Sequence, residues 1–73
     1  MKNVSCEMYD IYERLAMHQT PVRLYLNTEE GERIVESSFV TFKVLEGVEH
    51  GYLANGEHFP LVNISRFEKL KEE

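Results

Sequence analysis

Apolar residues near the start of the chain recur at helical spacing: Val4, Met8, Ile11, Tyr12 and Leu15 share one face when wound at about 100° per residue, which predicts an amphipathic helix over 5–19. Ser5 suits an N-cap, Glu7 and Asp10 place negative charge near the positive end of the helix dipole, and Pro21 marks the stop. The opposite side carries Cys6, Tyr9, Asp10, Glu13 and Met17, so a tyrosine is set between carboxylates on a face turned to water. After the helix the period changes to two. Val22, Leu24 and Leu26 alternate with Arg23, Tyr25 and Asn27, predicting a strand over 21–27 with one buried face, closed by a turn that uses Gly31.

The next stretch, 32–44, reads as one long strand whose alternation breaks at Ser37 and Ser38, which predicts a bend or bulge there. Residues 45–49 read as an acidic connecting loop. Strands over 50–54 and 57–60 flank Asn55-Gly56, a pair suited to a two-residue type I′ turn. That turn sets Leu53 opposite His58 and Tyr52 opposite Phe59. Pro60 belongs at an edge, a bulge or a strand end, a short turn covers 61–63, a last strand covers 64–70, and 71–73 form a fraying tail.

A helix followed by five strands gives an α+β chain that is mainly β. Long, bent strands let a small antiparallel sheet curl into a barrel, which removes open edges, with the helix capping or crossing its open end. An open α+β sheet is the alternative. At 73 residues the chain is expected to form a single domain, 1–73, with a small core, since a chain this short buries only about 60% of its unfolded surface.

Composition narrows the function. Apolar residues at 42% and charged residues at 29% fit a globular chain and not a disordered one. No apolar run reaches the roughly 18 residues of a membrane span, and Met1-Lys2-Asn3-Val4-Ser5 lacks the apolar core of a signal peptide, so a cytoplasmic location is expected. The single cysteine, Cys6, cannot form an internal disulfide, which fits a reducing compartment. Thirteen acidic against eight basic side chains give a net charge of −5, and seven glutamates between Glu29 and Glu57 are opposed only by Arg33 and Lys43. Such a surface repels phosphates and favours a basic partner. Direct nucleic-acid binding and membrane binding are not expected.

Catalysis finds little support. His50 and His58 bracket the hairpin without facing one another in the predicted register, and no Cys or Asp joins them at metal-ligand spacing. His18 sits where a helix C-terminus favours a cation. There is no phosphate-cradling glycine motif and no nucleophile elbow. No metal, cofactor or enzymatic activity is expected, and Gly47, Gly51 and Gly56 read as turn or bulge glycines.

Cys6-Glu7-Met8-Tyr9-Asp10, with Glu13, Leu15 and Ala16 behind it, resembles the opening signature of the Rof family, the Rho-binding antiterminators. Residues 22–26 before Gly31-Glu32 resemble that family's first strand and turn. Val48-Glu49 followed by Tyr52-Leu53 is similar to its loop and third strand, and residues 59–67 to its closing segment. The resemblance covers about residues 4–68. Met8 departs from it, standing where a second acidic residue is common, and 37–43 follows no family pattern.

The resemblance implies an N-terminal helix on a five-stranded, strongly bent antiparallel Sm-like barrel. It also implies inhibition by occupancy: an acidic protein that binds the RNA-binding N-terminal domain of the Rho hexamer and keeps the transcript off it, blocking transcription termination. Sm-like barrels often bind RNA themselves, but Pro60-Leu61 stands where their Arg-Gly step would be, and 39–44 supplies no Asp/Asn pair. The expected partner-binding residues are Tyr9 as aromatic anchor, Glu7, Asp10 and Glu13 as partners of Lys or Arg, and Glu46, Gly47 and Glu49 in a second contact region. The competing readings are solvated helix and loop faces for the carboxylates and packing against a strand for Tyr9. A monomer is expected when free. The alternative function is an Sm-like small β module that assembles with itself or binds nucleic acid.

Overall fold

The computed structural model describes residues 3–70, so the expected tail at 71–73 and the first two residues of the segment read for a signal peptide lie outside the described residues. The fold is α+β and mainly β, with one N-terminal helix and six strands in two antiparallel sheets. The helix α1 spans Cys6–Met17. Ser5 caps it by accepting a bond from the Met8 amide at 3.2 Å. It stops at Met17, ahead of Pro21, because Gln19 turns left-handed (φ 54°). The amides of Gln19 and Thr20 then donate back to the carbonyls of Ala16 and Leu15, closing the last turn in a Schellman motif.

Strands β1 (Val22–Thr28), β2 (Gly31–Ser37) and β6 (Ile64–Lys69) form the first sheet in the order β2-β1-β6. Strands β3 (Phe39–Leu45), β4 (Val48–Leu53) and β5 (His58–Pro60) form the second, in the order β3-β4-β5. The single strand expected over 32–44 is therefore two. The break falls at Ser38, where the chain leaves β1 as its partner and takes β4, and a further register shift between Phe39 and Thr41 sets Val40 apart as an extra residue. The bend is where the broken alternation puts it, but it divides the strand between two sheets that do not close into a barrel.

The hairpin between β4 and β5 also differs from expectation. Asn55 does not take positive φ; Gly56 alone does, at 93°, after a turn closed by the Gly56 amide donating to Leu53 O. This is a three-residue loop with a bulged glycine. It moves the register by one, so that Tyr52 faces His58 and Gly51 faces Phe59. The turn with two positive φ values is instead Glu46 (53°) and Gly47 (82°), joining β3 to β4 where an acidic loop was expected. Residues Leu61–Asn63 form a 3-10 turn after Pro60, which ends β5.

Every element contributes to one core. Tyr12 and Leu15 come from the helix, Val22, Leu24 and Leu26 from β1, and Val35, Phe39, Leu53, Phe59, Leu61 and Ile64 from the remaining elements. Gly51 is no turn glycine. It lies within β4, and a Cβ there would stand 2.8 Å from both Leu61 Cδ2 and Phe39 Cε1, so its missing side chain lets those two residues meet over the strand. Tyr25, expected to face outward, is buried on the far side of the first sheet under the Arg66 guanidinium, 3.7 Å from its ring.

Candidate functional site

Alpha-helical geometry and one side-chain clasp bring the two expected contact regions together. The helix packs along β3, with the Tyr9 ring 5.4 Å from Phe42 and the Tyr12 ring 5.5 Å from Phe39. Just before the helix, Asn3 donates to Gly47 O at 3.2 Å and accepts from the Glu49 amide at 2.8 Å. One asparagine thus ties the start of α1 to the β3–β4 turn.

Tyr9 is not a fully exposed aromatic. It is half-buried and packs at the edge of the core, on the flank of α1 that meets β3. The phenol titrates above its ordinary value, chiefly through burial and then through the negative charges of Glu13 and Glu49. Glu13 stands one helical turn beyond Tyr9, and Glu49, opposite Val44 of β3, is tied through Asn3 to the start of the same helix, so helix and strand bring Tyr9, Glu13 and Glu49 to one region.

The remaining expected residues are arranged less tightly. Glu7 and Asp10 are exposed on the side of α1 away from Tyr12, and Glu46 is exposed at the apex of its turn. Gly47 takes part through its backbone alone, as the acceptor for Asn3. Sequence reasoning passed over Asn3, whose clasp has no periodic signal, and Phe42, which read only as one member of an interrupted strand.

Among the described residues the cluster's charge is left unneutralised. The ion pairs among the described residues are Arg23 with Glu36 and Glu68, Arg33 with Glu57, and Arg66 with Glu68, none of which includes a helix residue. None of Glu7, Asp10, Glu13, Glu46 and Glu49 has a basic partner among the described residues. Glu49 Oε1 is shielded from water and makes no hydrogen bond there. A surface so composed has negative potential beside a half-buried aromatic and suits cationic side chains with apolar stems.

On the other face of the second sheet, Tyr52 stacks on His58 at 4.7 Å, Lys43 lies 5.2 Å above the Tyr52 ring, and His50 is 5.8 Å from His58. The histidines are diagonal neighbours, His50 being opposite Pro60. Among the described residues no group of three or more His, Cys, Asp or Glu side chains is placed to hold a metal ion. Nor is any helix among the described residues long and apolar enough to cross a membrane.

No protein-family model matches the chain, and no curated protein matches it.

Proposed function

We propose that this chain is an acidic binding module that inhibits transcription termination by occupying the RNA-binding N-terminal domain of the Rho hexamer. It acts by occupancy, without catalysis or cofactor, in the cytoplasm, as a monomer until bound. The observation that carries this reading is the arrangement of Glu13 and Glu49 about Tyr9, with neither carboxylate in an ion pair among the described residues. A surface that binds RNA is cationic, and an unneutralised acidic cluster meets it with the sign of the phosphates it displaces.

The resemblance of 6–10 and 59–67 to the Rof family supplies the identity of the target, and the order of elements supports the finer reading of the fold as Sm-like. A helix precedes β1, β2 and β3 follow one another as a long strand bent at Ser38, and a 3-10 turn leads into β6, which returns to pair with β1. Complementary charge speeds encounter and sets orientation, while the half-buried Tyr9 supplies a surface that a partner can desolvate.

Binding to purified Rho tests this. Association weakens as salt rises, and Asp10→Lys or Glu13→Lys slows it about tenfold while leaving the thermal melt unchanged. Undiminished binding in both variants removes the helix from the mechanism. A ring-shaped assembly of this chain, or a shift of labelled RNA by it, supports the self-assembling or nucleic-acid-binding module instead.

A further inference from the structure

The two sheets leave four edges, and three of them are guarded. Strand β2 carries Glu32, Arg33 and Glu36, and Arg33 reaches across to Glu57 at 2.8 Å. Strand β5 is three residues long and ends in Pro60, and β6 carries Arg66, Glu68 and Lys69. Strand β3 is different. It runs for seven residues with one charge, Lys43, and exposes Val40 (61%) and Val44 (65%). Natural edge strands of this length are normally shortened, charged or covered, because their unpaired backbone groups accept another strand.

Beside this edge lies a shallow groove lined by Glu13, Ala16 and Met17 of the helix and Val40, Thr41 and Phe42 of the strand. Met17 is 75% exposed, so the groove wall is apolar with a carboxylate set in it. Glu49 lies opposite Val44 in the register and so faces the same side. Lys43 projects to the other side, over Tyr52.

We propose that β3 takes an extended, basic segment of a partner protein as an added strand. Its arginine or lysine side chains at alternate positions lie in the helix–β3 groove. Their aliphatic stems cover Met17, Val40 and Phe42, and their charged heads meet Glu13 and Glu49. Lys43 fixes the phase. Cations facing the groove meet carboxylates, whereas cations on the opposite face would meet Lys43, so the intervening residues are uncharged. This rests on the reading of the domain as a binder of basic proteins and adds the mode of binding.

The test uses two seven-residue peptides of equal charge, one alternating arginine and threonine, the other with its four arginines consecutive. The alternating peptide binds about tenfold more tightly and slows amide exchange across Phe39–Leu45, and Val40→Ser with Met17→Ser removes its advantage without altering the melt. Equal binding of the two peptides, no binding of either, or protection confined to the helix overturns the strand addition. Rho binding measured on the same double variant separates the two claims. If the peptides fail while Rho still binds in an Asp10- and Glu13-dependent way, the module stands and only the groove falls.

Discussion

The Tyr9 and Phe42 rings meet at 5.4 Å with their planes tilted by 53°, joining the outer flank of the helix to β3. A residue at this position bears on stability and, on the proposed function, on recognition. Because the ring is half-buried, Tyr9→Ala lowers unfolding free energy by about 1–2 kcal/mol, less than the loss of a fully buried aromatic. Tyr9→Phe keeps the packing and removes only the hydroxyl. Chemical denaturation of the two variants checks this, and equal loss in both would mean that the hydroxyl and not the ring holds the site.

The phenol of Tyr9 provides a spectroscopic reading of the cluster. It ionises above the ordinary tyrosine range, first through burial and then through Glu13 and Glu49. Since the folded value is raised, its contribution to stability is fully present below the unfolded pKa and is lost as pH rises from there through the folded value. Glu13→Gln and Glu49→Gln each bring the value partway down, the burial contribution remaining. Ultraviolet titration in Tyr12→Phe, which removes the other phenol shifted upward, follows the change. No movement in either variant would place those carboxylates too far from Tyr9 to form one surface.

Acid sensitivity arises on the first sheet. The Tyr25 hydroxyl donates to Glu68 at 3.1 Å, and this bond, followed by those from Arg23 and Arg66, holds the Glu68 carboxyl below its ordinary value. A depressed folded pKa gives stability that is present above the unfolded value and lost as pH falls through the folded one. Tyr25→Phe raises the Glu68 value toward the unfolded one, so the acid-dependent loss of stability from this carboxyl becomes smaller and is complete at a higher pH. Carboxyl-carbon NMR titration measures it, and an unmoved Glu68 would show that the arginines alone set its charge.

Much of this architecture was readable from residue pattern, and the failures have physical causes. Ser5, the helical face and the alternation of β1 gave their elements directly, because each depends on neighbours a few positions away. The division of the long strand at Ser38 depends on which partner each half meets, so local alternation registered the bend but not the two sheets. Asn55-Gly56 carried a strong two-residue turn signal, yet Asn55 Oδ1 accepts from the Glu57 amide at 2.9 Å and stabilises a longer loop. At the candidate site, the charged helix face was legible in advance. Its link to Glu49 was not, since it runs through Asn3 and Phe42.

Gly51 and Gln19 test the structure in opposite directions. An alanine at Gly51 drives a methyl group into Leu61 and Phe39, costing about 1–3 kcal/mol. Glycine at Gln19 relieves the left-handed strain in the Schellman turn and raises stability by about 0.5–1 kcal/mol, or roughly 2–8 °C in Tm. Thermal melts decide both. A neutral Gly51→Ala would contradict the close approach of β4 to the core.

In the proposed function, acidic side chains about Tyr9 take the place of RNA on a cationic protein surface. Fluorescence anisotropy of a labelled RNA bound to the Rho hexamer, followed as this protein is added, measures it most directly. Anisotropy falls to the value of free RNA as the protein is added, and Glu13→Lys demands a higher concentration for the same release. RNA that stays bound at saturating protein, or is released equally by the wild type and Glu13→Lys, contradicts the claim.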